Sequence, residues 1–227
     1  MNTVTFGEYN SFEHLDLILN SKTIGAAMPK LLAVDNTGGN GELDYTDYFG
    51  AVNYKNRPLS FEFSAIGNHK EFLQQYSRIQ NLLNGRKMKV TLSDDPDFYY
   101  IGRVTVNDWK TEKAIGKLVI DVNAEPYKLK HAHTVIYTSI KNLGLVDINC
   151  PNLKKAVSPK ISFVGSGAQG NIVWGGECSD TLYAGDIPAE FAEKIVFTEG
   201  DNLITVIPAR QATFPFGVRV VYQEGGL

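Results

Sequence analysis

One stretch of the chain, residues 68–124, changes from a helical to a strand pattern of apolar positions. Four apolar residues recur at helical intervals of three or four positions: Phe72, Tyr76, Ile79 and Leu83. Asn68, with Glu71 three residues later, resembles a capping box, and Asn84-Gly85 supplies a left-handed stop. The pattern therefore predicts one amphipathic helix that ends before Gly85.

Strand patterns lie on both sides of this helix. Apolar residues occupy alternate positions in two segments, Leu59, Phe61, Phe63 and Ala65 before the helix and Leu118, Ile120, Val122 and Ala124 after it. Residues 89–92 and 99–106 are rich in β-branched and aromatic residues, and turn-forming residues 93–97 join them into a predicted hairpin. We expect the helix to cover the apolar face of this antiparallel sheet.

The segment from residue 24 to residue 55 breaks the regular pattern. Short strands are predicted before it, within residues 4–9 and at residues 15–19, but the segment itself is rich in Gly, Asn, Asp and Pro. Only residues 31–34 resemble a strand. So long an irregular insertion in a compact domain is usually functional or bound to a partner.

The second half of the chain consists of short strand-like runs separated by Gly, Pro, Asn and Asp. The predicted strands are residues 134–140, 146–149, 160–164, 171–174, 195–198, 203–207 and 218–222, with a turn at residues 199–202. This spacing is typical of a β-sandwich. Pro126 closes the first module, which places the boundary near Lys130. We predict a mainly β protein, with an α+β domain at residues 1–130 and a sandwich domain at residues 131–227.

Composition and charge exclude several classes of protein. The chain has 227 residues, with 21 Gly, 12 Phe and 11 Tyr, which agrees with many strands and tight turns. A formal net charge of −3 gives no electrostatic reason to expect a protein that binds nucleic acid. The sequence has no signal-peptide pattern and no run of about 18 apolar residues, so we predict a protein made in the cytosol that does not cross a membrane.

Two pairs of potential metal ligands have simpler interpretations. His131 and His133 would point the same way on a strand, but the sequence places no third ligand near them, and zinc sites need three or four. We expect a solvent-facing pair in a linker. Cys150 and Cys178 lie in different segments without close-spaced partners, which predicts buried free thiols.

Charged groups on predicted turns and loops also lack a catalytic pattern. The groups considered are Asp94, Asp95 and Asp97 as calcium ligands, Asp35, Glu42, Asp44 and Asp47 as acid–base residues, and the basic group Arg86, Lys87 and Lys89. The first lacks the EF-hand pattern and the second lacks any accompanying catalytic motif. The basic group is expected to complement the helix dipole. We predict no enzyme activity, no cofactor and no metal site.

Five separated motifs follow one another in the order found in one family. They are Gly41-Glu42-Leu43-Asp44-Tyr45-Thr46, Tyr54-Lys55-Asn56-Arg57-Pro58-Leu59-Ser60-Phe61-Glu62-Phe63, Leu82-Leu83-Asn84-Gly85-Arg86-Lys87-Met88-Lys89-Val90, Tyr99-Tyr100-Ile101-Gly102-Arg103-Val104 and Ala124-Glu125-Pro126-Tyr127-Lys128. In these motifs the chain resembles the distal tail proteins of long-tailed (siphovirus-type) bacteriophages. The resemblance covers most of residues 1–130, and the second half matches mainly in length and strand pattern.

The resemblance implies a structural protein of the virion, located at the tip of the phage tail. Its first domain would form a hexameric ring that joins the tail tube protein to the tail-tip protein and leaves a channel for DNA. Its second domain would be a galectin-like β-sandwich, a type that usually lacks a working sugar site in this family. In larger baseplates the outer domain holds receptor-binding proteins.

A ring would give the irregular insertion a partner. We predict subunit contacts at or near six residues: Asn36, Gly38, Gly41, Asp44, Tyr54 and Arg57. A guanidinium such as that of Arg57 is suited to pair with a carboxylate through two hydrogen bonds. The alternative function is adhesion, in which the sandwich binds cell-wall sugars and Trp174, beside Gly175-Gly176, stacks on a sugar ring.

Overall fold

The computed structural model describes residues 2–48, 50–66, 69–112 and 115–227. The protein is mainly β, with 52% of residues in strands, 8% in helices and antiparallel sheets. It forms two compact units, residues 1–128 and 129–227. Within the described ranges, neither helix is long and apolar enough to cross a membrane. The predicted fold class is confirmed.

The first unit is built on one large sheet and one helix. Its elements are β1 (Val4–Phe6), β2 (Tyr9–Asn10), β3 (Ile18–Ile24), β4 (Ala33–Asp35), β5 (Glu42–Asp44), β6 (Arg57–Ile66), α1 (His69–Leu83), β7 (Lys87–Leu92), β8 (Asp95–Val106), β9 (Lys110–Glu112) and β10 (Ile115–Ala124). The strands of the large sheet run in the order β2-β1-β7-β8-β10-β6-β3, and β9 pairs with β10. Strands β4 and β5 pair only with each other.

Helix α1 packs its apolar stripe against the core of the first unit, as predicted. Phe72, Ile79 and Leu83 are buried, and Tyr76 lies against the same core. Trp109 packs on the helix, with its ring 5.6 Å from that of Phe72. The helix ends before Gly85, which has φ +75°. The predicted cap Asn68 lies outside the described residues.

The large sheet has one apolar face and one polar face. In β6 and β10 the predicted alternating residues are buried, and Phe61 lies opposite Ile120. On the other face, Ser60 Oγ donates to Asp121 Oδ1 at 2.6 Å and Asn107 Nδ2 donates to Asp121 Oδ2 at 2.7 Å. The alternation of apolar and polar residues therefore predicted correctly which face of the sheet is buried.

Two boundaries in the first unit differ from the prediction. The entry strand begins at Ile18 and runs to Ile24, because residue 16 has φ +55° and the Gln75 side chain donates to the carbonyl oxygens of residues 15 and 16. The β7–β8 hairpin closes with a two-residue turn, since Leu92 pairs with Asp95. The predicted turn at residues 93–97 was therefore too long.

The second unit is a two-sheet sandwich around its own core. Its elements are β11 (Lys128–Lys130), β12 (Thr134–Ile140), β13 (Val146–Asn152), β14 (Lys160–Val164), β15 (Gln169–Trp174), β16 (Glu177–Cys178), β17 (Leu182–Tyr183), β18 (Gly185–Asp186), α2 (Ala189–Ala192), β19 (Gly200–Pro208), β20 (Phe216–Tyr222) and β21 (Gly225–Gly226). One sheet has the order β12-β20-β14-β18 and the other β13-β19-β15-β16, with β17 on β15. Buried side chains from both sheets form one cluster.

The predicted strand at residues 195–198 is wrong. Ile195 and Phe197 are buried like alternate strand residues, but only Phe197 makes an isolated bridge, to Val157. The buried Asn202 side chain binds this segment, because its Nδ2 donates to the oxygen of residue 198 and its Oδ1 accepts from the same residue's N–H. Residues 200–202 of the predicted turn instead begin β19, and α2 was not predicted.

Candidate functional site

The described part of the predicted irregular insertion folds back on itself as a hairpin, which we call the arm (residues 25–48 and 50–55). In the arm β4 pairs with β5, so that Val34 lies opposite Leu43 and Asp35 lies opposite Glu42. Backbone hydrogen bonds continue the ladder toward its base, from Lys30 N to the oxygen of residue 53 at 2.7 Å. The prediction of a single strand with irregular flanks was therefore wrong.

Local side chains and a glycine shape the turn of the arm. The N–H of Gly39 donates to the oxygen of Asn36 at 3.1 Å, and Gly41 has φ +83°, which favours glycine. After β5, Asp44 Oδ1 accepts from the N–H of Thr46 at 2.8 Å. Hydrogen bonds from Thr46 hold the pKa of Asp44 below its usual value. These are the turn devices that Asn, Asp and Gly provide.

One face of the arm is apolar and uncovered. Because side chains alternate along a strand, four apolar residues share this face: Leu32, Val34, Leu43 and Tyr45. All four are exposed. Tyr48, whose ring lies 6.0 Å from that of Tyr45, is 72% exposed. A contiguous exposed apolar surface is typical of a protein–protein contact.

The opposite face of the arm is acidic. It carries Asp35, Glu42 and Asp44, and all three are exposed. Asp35 and Glu42 lie directly opposite each other, an arrangement in which like charges destabilise a strand pair. Residues 31–50 contain four acidic residues and no Lys or Arg. The arm is therefore a ribbon with two chemically different faces.

The structure distributes the six predicted contact residues over three places. Asn36, Gly38, Gly41 and Asp44 lie at the distal end of the arm. Tyr54 lies at its base, where its ring meets that of Tyr127 edge-on at 6.0 Å.

Arg57, the sixth predicted contact residue, starts β6 and lies inside its own chain. Its side chain is only 7% exposed, and its guanidinium lies 5.7 Å from the centre of the Tyr100 ring. Arg57 Nε is buried without a hydrogen-bond partner among the described residues. The contact role of all six residues stays a prediction.

A polar groove lies beside the base of the arm, on the open face of the sheet. We call it the root groove and define it by Asn56, Lys87, Ile101, Arg103, Thr105, Asn123 and Glu125. Lys87 lies directly opposite Arg103 across β7 and β8. Lys87 Nζ forms an ion pair with Glu125 Oε1 at 2.6 Å, and both side chains are exposed. Sequence reasoning missed Arg103, because only strand register places it beside Lys87.

The rest of the predicted basic group interacts locally. Arg86 Nη2 donates to the carbonyl oxygen of Asn81 in the last turn of α1, as expected for a residue that complements the helix dipole. Lys89 Nζ lies 4.5 Å from the centre of the Tyr99 ring.

The carboxylates of the β7–β8 turn interact with lysines. Asp94 pairs with Lys22, and hydrogen bonding from that lysine lowers the pKa of Asp94. Asp95 pairs with Lys128 at 2.6 Å. Within the described ranges, no group of three or more His, Cys, Asp or Glu side chains is placed to hold a metal ion.

The histidines and Trp174 lie in the second unit. His131 and His133 are exposed in the bend before β12, not on a strand. Trp174 ends β15 and is half-buried, with its ring 5.6 Å from that of Phe197. Glu177 and Lys194 pair at 3.0 Å beside the shallow depression next to this ring. A sugar-stacking role for Trp174 stays a prediction.

The two cysteines differ in accessibility. Cys150 is buried in β13, and burial raises its pKa to about 11. Cys178 is exposed in β16, so the prediction of a buried thiol is wrong for this residue. Because the thiolate is the reactive species, we expect a thiol reagent at pH 8 to modify Cys178 quickly and Cys150 only after unfolding. Peptide mapping by mass spectrometry after native labelling tests this. Rapid labelling of Cys150 in the folded protein would contradict it, and Cys178→Ser should remove the fast reaction.

Comparisons with known proteins identify the fold. No protein-family model matches the sequence, and no curated protein matches it either. The chain is similar to the crystal structure of SPP1 Dit, a paradigm of the hub adsorption apparatus in Gram-positive infecting phages, with a TM-score of 0.68 and 14% identity. The match covers 100% of both chains. The predicted resemblance to distal tail proteins is confirmed at the level of fold.

Proposed function

We propose that this protein is a structural component of a phage tail tip. Six copies form a closed ring that joins the tail tube protein to the tail-tip protein and leaves a central channel for DNA. The fold match over the full length of a phage hub protein supports this role. The protein works in the virion by assembly and carries out no catalysis.

The arm is the observation that carries the proposal. Its two strands pair with each other as a hairpin, yet its apolar face is exposed in the single chain. A cyclic assembly places the same two unlike surfaces in contact at every interface, so each copy offers one surface and receives the other. The arm is well suited to be one of these two surfaces, the one that each copy places against its neighbour.

The second unit provides the attachment site for receptor-binding proteins in this proposal. It has its own core, so it does not depend on ring closure to fold. Exposed apolar residues on this unit, such as Val135 and Leu203, provide surface for receptor-binding proteins. The first unit then provides the contacts to the tail tube and tail-tip proteins.

The state of assembly of the purified full chain tests the proposal. We expect native mass spectrometry to find a species of six times the chain mass, and negative-stain images to show rings with sixfold symmetry and a central hole. The fraction of rings should rise with concentration, because assembly follows mass action. A particle of one chain at every concentration would overturn the ring.

A further inference from the structure

We infer that the acidic face of the arm docks into the root groove of a neighbouring copy, which orders the ring head to tail. The inference rests on the proposed ring and names the two surfaces that meet in it. The partner is thus a second copy of this chain, selected by charge.

The acidic side of the contact is built into the register of the arm. Asp35 and Glu42 lie directly opposite each other, and Asp44 is on the same face. Like charges at opposed positions repel, and the arm has no basic residue between positions 31 and 50 to offset them. Contact with a cationic surface would offset the repulsion between these carboxylates, so we expect this face to bind such a surface.

The root groove has the complementary arrangement. Lys87 and Arg103 are also directly opposed, and both are exposed on the polar face of the sheet. Arg86 and Lys89 are close to them in the chain, while Glu125 is the acidic residue that lines the groove. Lys87 is paired with Glu125, and Arg103 Nη1 donates to a backbone carbonyl oxygen at 2.5 Å, so the arm carboxylates add to or replace these partners. The two opposed cations match the two opposed carboxylates in spacing, since opposed Cβ atoms on a strand pair lie about 5 Å apart.

The positions of the two surfaces fit a head-to-tail contact. The acidic face lies at the distal end of the arm, whereas the root groove includes Asn56, at its base. Each copy can therefore extend its arm to the base of the next copy's arm. Repeating this one head-to-tail contact generates a ring when its rotation closes, as the proposed sixfold assembly requires.

Charge reversal with rescue tests the contact. Asp35→Lys with Glu42→Lys, or Lys87→Glu with Arg103→Glu, should each raise the concentration needed for half-assembly at least tenfold. Combining all four substitutions restores opposite charges and should recover most of the wild-type assembly. Mass photometry over a concentration series measures this, and high salt should weaken wild-type assembly because it screens the contact.

The single variant Asp35→Lys separates a docking role from a structural one. It removes the repulsion with Glu42 inside the arm, so thermal unfolding should be unchanged or slightly higher, while assembly weakens. Swapping the exposed Lys160–Asp186 pair of the second unit is the matched control and should leave assembly unchanged. If the wild type forms rings and both charge-reversal variants assemble equally well, this inference alone is overturned. Absence of wild-type rings would overturn the proposed function.

Discussion

Replacing Gly102 by alanine should lower the free energy of unfolding of the first unit by about 3 kcal/mol, the upper end of the usual range for overpacking. Gly102 is buried in β8 opposite Ala124 of β10. An added Cβ would lie 2.5 Å from Val122 Cγ1, 2.8 Å from Ala124 Cα and 2.9 Å from the oxygen of Asn123. Two of these are backbone atoms of β10, so the steric clash can be removed only if β8 and β10 move apart.

Urea denaturation followed by tryptophan fluorescence measures this effect. In a Trp174→Phe background the remaining Trp109 reports on the first unit, where it packs against Phe72. Gly38→Ala is the matched control, since a Cβ added there would have no neighbouring heavy atom within 4 Å. We expect the control to change stability by less than about 0.5 kcal/mol. Equal effects of the two substitutions would show that packing at residue 102 is not the cause.

The sequence predicted best the elements whose periodicity is maintained over many residues. Helix α1 and strands β6 and β10 each bury one face, so apolar residues recur with the period of the element. A shift of one residue in β6 would expose Phe61 and Phe63, which are buried. Burial therefore fixes these elements strongly enough to be visible without the structure.

The elements that the sequence did not predict correctly depend on partners distant in the chain. Phe197 exchanges two backbone hydrogen bonds with Val157, and its carbonyl oxygen also accepts from the side chain of Asn152, 45 positions away. The start of the predicted entry strand is similarly held by Gln75 of the helix. Side-chain hydrogen bonds of this kind leave no periodic signal in the sequence.

The sequence of the arm contains the pattern of a hairpin, but its many Gly, Asn and Asp residues led to the prediction of an irregular segment. Leu32 and Val34 alternate before the turn, and Leu43 and Tyr45 alternate after it, which is the pattern of a hairpin. Each strand is only three residues long, and the six-residue turn between them is rich in Asn and Gly. The sequence contains no comparable pattern for Lys87 and Arg103, because only the register of β7 against β8 places them opposite each other.

Replacing the apolar face of the arm should convert rings into single chains. The variant is Leu32→Ser, Val34→Ser, Leu43→Ser and Tyr45→Ser. Burial of the remaining exposed part of each side chain contributes about 1 kcal/mol, so the four together contribute about 4 kcal/mol per contact. This loss weakens each contact on the order of a thousandfold. Mass photometry at a concentration where the wild type forms rings should find the mass of one chain.

The fold of the single chain should survive this substitution, because these side chains are exposed before assembly. Thermal unfolding of the variant should therefore match that of unassembled wild type. The matched control replaces four residues of the second unit, which are exposed at least as much as those of the arm, by serine: Val135, Tyr137, Tyr183 and Leu203. Since the first unit makes the subunit contacts of the proposed ring, the control should still assemble. Rings formed by the arm variant, or lost in the control, would assign the subunit contact to another surface.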